Sequence, residues 1–135
     1  MIKLFIGAKG SGKTKTLIEL VNNAVATSDG SVVCIEKGDK LKLDISYKAR
    51  LIDTNFYSIE DASSLYGFVA GILSGNHDVT DLYIDGTLRI CNGDLESFEK
   101  CAHHLDELAD RYKMNIVVTV SLAEEEIPES LKKYI

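Results

Sequence analysis

Residues 2–14 read Ile2-Lys3-Leu4-Phe5-Ile6-Gly7-Ala8-Lys9-Gly10-Ser11-Gly12-Lys13-Thr14. An apolar run of strand length, Ile2 to Ile6, stops at a glycine-rich turn. From Lys13 to Ala26 the apolar spacing becomes helical, with Leu17, Ile18, Leu20, Val21, Ala24 and Val25 on one side. Gly7 to Thr14 fit the pattern G-x-x-x-x-G-K-[ST], which works through backbone geometry. Its glycines let the chain curl until successive N–H groups point inward and form a nest for anionic oxygens. The helix that follows adds the unpaired N–H groups and positive dipole end of its first turn. In such a loop Gly7, Ala8, Lys9, Gly10, Ser11, Gly12, Lys13, Thr14 and Lys15 enclose a polyphosphate. Lys13 reaches its outer phosphates and the Thr14 hydroxyl ligates Mg²⁺. The expected ligand is a nucleoside triphosphate, ATP first, with Mg²⁺. Lys9 stands third in the loop, away from the position just after the first glycine, and reads as a solvated charge.

Strand and helix signals alternate outward from this stretch. Asp29-Gly30 is a turn before a buried strand, Ser31 to Glu36, and the Lys-rich residues 37–48 read as a surface loop. Ala49 to Asp53 is a short strand. Ser58, with Asp61 three residues later, has the spacing of a capping box. The helix it opens carries Leu65, Phe68, Val69, Ile72 and Leu73 and ends at Gly75-Asn76. Leu82 to Asp85 is a strand running into Gly86, and Asn92-Gly93-Asp94 is a turn and cap. Leu95, Phe98, Ala102, Leu105, Leu108 and Tyr112 form the stripe of a long amphipathic helix. Met114 to Val120 is a fifth strand, and a short helix follows Pro128. Such alternation predicts an α/β three-layer sandwich with a mainly parallel five-stranded sheet. Residues 1–135 form one nucleotide-binding domain in this reading.

Composition narrows the classes of function. Fifteen basic against 21 acidic residues give a net charge of −6, which argues against a broad nucleic-acid surface. A single anion site needs only local positive potential. Cys34, Cys91 and Cys101 share no metal-type spacing and read as small reduced core residues, pointing to the cytoplasm. No stretch is long and apolar enough for a membrane span.

The loop needs a second half. A magnesium-side carboxylate belongs at the end of a neighbouring strand, and Asp85 ends Leu82-Tyr83-Ile84. Asp81 starts the same strand and falls at the wrong edge. Gly86 occupies the position after Asp85, so no carboxylate directly follows the magnesium-side acid. Glu36, at the end of the strand after the first helix, is the substitute candidate for orienting an attacking water. A strand-end carboxylate paired with Lys37 or solvent is the competing reading. Ser121 is preferred over Thr119 as a sensor of the terminal phosphate, although a hydroxyl satisfied by backbone would explain either.

The succession of phosphate loop, strand ending in Glu36, short strand, helix, strand ending in Asp85, helix and strand ending in Ser121 resembles the core of RecA-like P-loop ATPases. That branch also holds the thymidine kinases. The likeness covers roughly residues 1–121, and the chain also resembles small ATP-binding proteins of unassigned role. It implies a P-loop fold, with Lys13, Glu36 and Asp85 as the catalytic set and Thr14 with Asp85 on the magnesium.

His103-His104 with Asp106, Glu107 and Asp110 offers a one-turn metal pair in His103 and Glu107. The helical stripe places both on the outer face, where a solvated pair is the expectation. Glu124-Glu125-Glu126 is a solvated charge run. Arg50, Arg89 and Arg111 are scattered, and no segment has the composition of a cationic lid. The expected function is therefore an ATP-binding switch with slow or partner-stimulated hydrolysis, acting on a protein partner or through self-association. A small-molecule or nucleoside kinase and a non-catalytic nucleotide-binding module are the alternatives.

Overall fold

A computed structural model describes residues 1–135. Five strands form one all-parallel sheet: β1 (Lys3–Gly7), β2 (Ser31–Glu36), β3 (Arg50–Asp53), β4 (Val79–Ile84) and β5 (Asn115–Ser121), in spatial order β1-β5-β4-β2-β3. Four α-helices accompany it: α1 (Lys13–Thr27), α2 (Ala62–Gly75), the single turn α3 (Thr87–Ile90) and α4 (Leu95–Tyr112). The expected α/β architecture and parallel sheet are present. No helix is long and apolar enough to cross a membrane.

The strands are apolar on both faces, and the parity of their residues sorts two cores. Val33, Ile35, Leu82, Ile84, Ile116 and Val118 point to the larger one, under α2 and α4. Val32, Cys34 and Tyr83 point the other way and meet Leu17 and Val21 of α1. The sheet thus lies between α1 on one face and α2 with α4 on the other. Burial on both faces is what continuous apolar runs in parallel strands provide for.

Several boundaries differ from the sequence expectation. The N-cap of α2 is Asp61, whose carboxylate accepts the Ser64 N–H at 2.8 Å, while the Ser64 side chain accepts the Asp61 N–H in return. Ser58 instead ends a 3₁₀ turn, Thr54–Tyr57, in a left-handed conformation. A second capping set one turn further on competed with the one chosen from spacing. β4 begins at Val79, three residues earlier than expected, because Ser31 pairs with Val79 beyond a register shift. Residues 37–48 have no regular element, as expected, yet they are not simply a surface loop. Leu41 and Ile45 are buried against α1, one helical turn apart, with the Ile45 N–H donating to the Leu41 carbonyl at 3.0 Å. The three cysteines are buried and unpaired.

The expected outward pair of His103 and Glu107 does not form. His103 turns toward the C-terminal 3₁₀ segment Glu129–Tyr134, with Nδ1 2.8 Å from the Tyr134 hydroxyl and Nε2 3.1 Å from that of Ser130. Burial of Leu131 and Tyr134 brings that segment onto α4, and two hydroxyls replace Glu107 as the ring's partners. No group of three His, Cys, Asp or Glu side chains is placed to hold a metal ion.

Phe98 of α4 is fully buried in the larger core. Phe98→Ala is expected to lower unfolding free energy by about 3–5 kcal/mol, since the site is too closely packed to collapse around the void. Urea unfolding of the two proteins measures the difference.

Candidate functional site

The residues from Gly7 to Lys15 join the carboxyl end of β1 to the start of α1. Gly10 and Gly12 adopt φ of +86° and +90°, conformations open to glycine and costly for other residues. Gly12 is the N-cap of α1 and offers no side chain to the helix. The N–H groups of Gly10, Gly12, Lys13, Thr14 and Lys15 consequently have no partner within the protein, the first helical bond being Thr16 N–H to the Gly12 carbonyl at 3.1 Å. The first turn also carries Lys13 and Lys15 and no acidic residue, the reverse of what a helix dipole favours. Free donors and added positive charge at a helix start suit an anion and weaken the start of the helix itself. Lys13 folds back over the loop, donating to the Ala8 carbonyl at 2.9 Å and the Ser11 hydroxyl at 3.3 Å.

Sheet register aligns the remaining groups. Ile35 stands beside Ile84 and Ile84 beside Val118, so Glu36, Asp85 and Thr119 follow in a row at the carboxyl edge. The Asp85 N–H donates to the Ile35 carbonyl at 2.8 Å. The Thr14 hydroxyl reaches both carboxylate oxygens of Asp85, at 3.2 and 3.3 Å. From the opposite side the Thr119 hydroxyl donates to Asp85 Oδ1 at 2.7 Å and accepts the Gly86 N–H at 2.9 Å. Asp85 is thereby fixed against the loop's threonine. Thr14 and Asp85 supply hard oxygen donors at one point, a set that fits Mg²⁺ completed by water and phosphate oxygens.

Glu36 is 4% exposed, and its carboxylate accepts the Leu41 N–H at 3.1 Å. Burial pushes its pKa up, opposed by the Leu41 and Lys40 N–H groups and reinforced by the charges of Asp85 and Asp53. Burial, then the same Asp85 and Glu36 charges, pushes the Cys34 thiol up to about 12, leaving it an inert core group.

Lys13, Thr14, Glu36, Leu41, Asp85 and Thr119 border a cleft of about 800 Å³, in which only Leu41 and Leu88 are hydrophobic. Lys9, Lys13, Lys15, Lys37, Lys40 and Arg89 face two carboxylates, Glu36 and Asp85, so a chain with net negative charge concentrates positive potential here. Gly10, Gly12 and Ser121 line the same cleft. Ser121 is exposed, whereas Thr119 makes the bond to Asp85. Lys37, weighed from the sequence only as a partner for Glu36, and Arg89, read there as a surface charge, both line the cleft, as does Lys40, which no sequence signal marked. Arg89 Nη2 donates to the Lys37 carbonyl at 2.8 Å and fastens the start of the 37–48 loop to α3. A loop's lysines carry no spacing signal; the burial of Leu41 is what turns this one inward. Asp81 lies at the other end of β4, near Asn115.

In comparisons with known proteins, no family model matches the chain and no curated protein matches its sequence.

Because the fold favours the protonated form of Glu36, the stability it contributes is present below its ordinary pKa of 4.5 and is lost as pH rises through the raised value. Glu36→Gln keeps an acceptor for Leu41 and removes the buried charge. It is expected to melt above the wild type at pH 7, with the gap closing below pH 4.5. Thermal melts across pH measure this.

Proposed function

We propose that this protein binds Mg-ATP at the Gly7–Lys15 loop and hydrolyses it slowly or on contact with a partner, serving as a nucleotide switch. The observation that carries the reading is the Thr14–Asp85 contact beneath the uncapped start of α1. It unites a polyphosphate nest with a magnesium-side acid at the carboxyl edge of a parallel sheet, where ligands of open α/β folds bind. The order β1-β5-β4-β2-β3 supports the RecA-like reading, with one strand inserted between the loop strand and the Asp85 strand. In the proposed site Lys13 leaves the Ala8 carbonyl for the outer phosphates. Thr14 and Asp85 hold the magnesium and its waters, which neutralises charge on the phosphoryl oxygens.

Glu36 is the water-orienting base in this scheme. A carboxylate held in a buried setting with raised pKa accepts a proton more readily at neutral pH than a solvated one. Its bond to Leu41 couples it to the 37–48 loop, so a shift of that loop on nucleotide binding frees or aims the carboxylate. The loop thereby links the state of the nucleotide to an outer surface available to a protein partner.

A kinase reading draws support from one specific observation. Lys37, Lys40 and Arg89 stand across the cleft from the phosphate loop, cations that a transferred phosphoryl group would use. ADP release that requires an added nucleoside or metabolite acceptor favours that reading; release in water alone favours the switch.

Mg-ATP at about 100 times its dissociation constant is expected to add roughly 2.7 kcal/mol of stability. The accompanying rise in melting temperature should disappear in Lys13→Ala, and equal stabilisation of both proteins would overturn the site. Glu36→Gln is expected to retain nucleotide-dependent stabilisation while losing turnover by a hundredfold or more, on the order expected for a general base. A phosphate-release assay checks it, and unchanged turnover removes Glu36 from the chemistry.

A further inference from the structure

The lining of the cleft decides which part of a nucleotide this protein can recognise. Lys9, Lys13, Lys15, Lys37, Lys40 and Arg89 outnumber its two carboxylates, and the free N–H groups of the phosphate loop lie at the same place. Everything there suits an anion. None of the six tyrosines and four phenylalanines lines the cleft, and the chain has no tryptophan. Of the two hydrophobic residues present, Leu41 is 3% exposed and packed toward α1, and Leu88 is half-buried. A base stacked on an aromatic side chain gains roughly 5- to 150-fold in affinity. No such platform exists here.

Bases are also told apart by fixed donors and acceptors held against their edges. The neutral polar side chains of the cleft are Thr14, Thr119, Asn92 and Ser121. Both threonine hydroxyls are committed to Asp85. Asn92 and Ser121 are exposed, and no bond within the protein holds either side chain to one orientation. On the other side of the loop the chain leaves β5 with the Leu122 N–H on the Gly7 carbonyl at 3.1 Å. It then exposes Glu124 and Glu125, while Glu126 turns back to accept the Ala123 N–H at 3.1 Å. That rim carries no ring either, and its free carboxylates stand in solvent.

We propose that the cleft recognises magnesium and the triphosphate chain and leaves the base unread. Its ligands are then a chemical class: any nucleoside triphosphate, with inorganic tripolyphosphate among them and ATP one member. The inference rests on the reading of Gly7–Lys15 as a triphosphate site. It adds what sets affinity there, namely cations and N–H donors at the phosphate end and nothing at the base. A switch built in this way responds to the whole triphosphate pool rather than to adenine nucleotide.

Isothermal titration calorimetry of the full chain with magnesium tests it, with ATP, GTP, CTP, UTP, inorganic tripolyphosphate and adenosine as probes. The four nucleotides are expected to bind within about tenfold of one another, and tripolyphosphate within about tenfold of ATP. Adenosine is expected to give no binding heat. Lys13→Ala should weaken ATP and tripolyphosphate by the same factor, since both losses fall on phosphate. Asn92→Ala should leave the ranking of the four nucleotides unchanged. Circular-dichroism melts without ligand that match the wild type establish that both variants are folded. A preference for one base well beyond tenfold overturns the inference and leaves the triphosphate site standing. ATP that binds where tripolyphosphate does not, or a ranking altered by Asn92→Ala, has the same consequence. Failure of every phosphate-bearing probe to bind is a different result: it overturns the site itself, and the inference with it.

Discussion

Asp85 ties together the carboxyl edge of the sheet. It accepts hydrogen bonds from Thr14 at the start of α1 and from Thr119 near the end of β5, two residues far apart in the chain. These bonds exist because β5 lies between β1 and β4, so that the loop after β1 and the end of β4 are joined across one intervening strand. Behind the carboxylate Val118, Ile84 and Ile35 are fully buried, so its charge turns toward the cleft and the two hydroxyls. Two hydroxyls thus fix the acid beside the loop through bonds within the protein itself.

The loop and α1 violate a local rule. Two lysines and no acid in the first turn, with donors left free and no side-chain cap, make the helix start less stable than an ordinary one. The other two long helices have conventional caps, with Asp61 on α2 and Asp94 on α4 each accepting an N–H three residues on, while the single turn α3 starts at Gly86 without a side-chain cap. Among the three long helices α1 alone combines a missing cap with first-turn lysines, and its free donors suit an anionic group. The six cations around the cleft, against a net charge of −6, tell the same story at longer range.

Much of this was legible in the chain. The pattern of Gly7 to Thr14, between an apolar run and a helical stripe, located the loop and its helix. Strand-end position marked Asp85 and Glu36, because residues of one parity along a strand share a face: Cys34 with Glu36, Tyr83 with Asp85, Val117 with Thr119 and Ser121. The sequence was less informative where two local signals competed, as at Ser58 and Asp61, either of which is an acceptable cap. It did not place Lys37 and Lys40 in the cleft, because the anchoring of Leu41 and Ile45 on α1 is a contact between distant segments. It misplaced His103, whose partners come from a segment some thirty residues on.

The amino-acid sequence by itself determined the alternation of strands and helices, the parallel sheet, and the nest-forming loop, because those depend on periodicity and on the conformational freedom of glycine. Only the tertiary structure decided which strand lies beside which, that Thr119 rather than Ser121 holds Asp85, and that Glu36 spends its carboxylate on Leu41. Those are contacts between residues distant in the chain. They are chosen by how two cores pack on the faces of one sheet, and no local pattern records that choice.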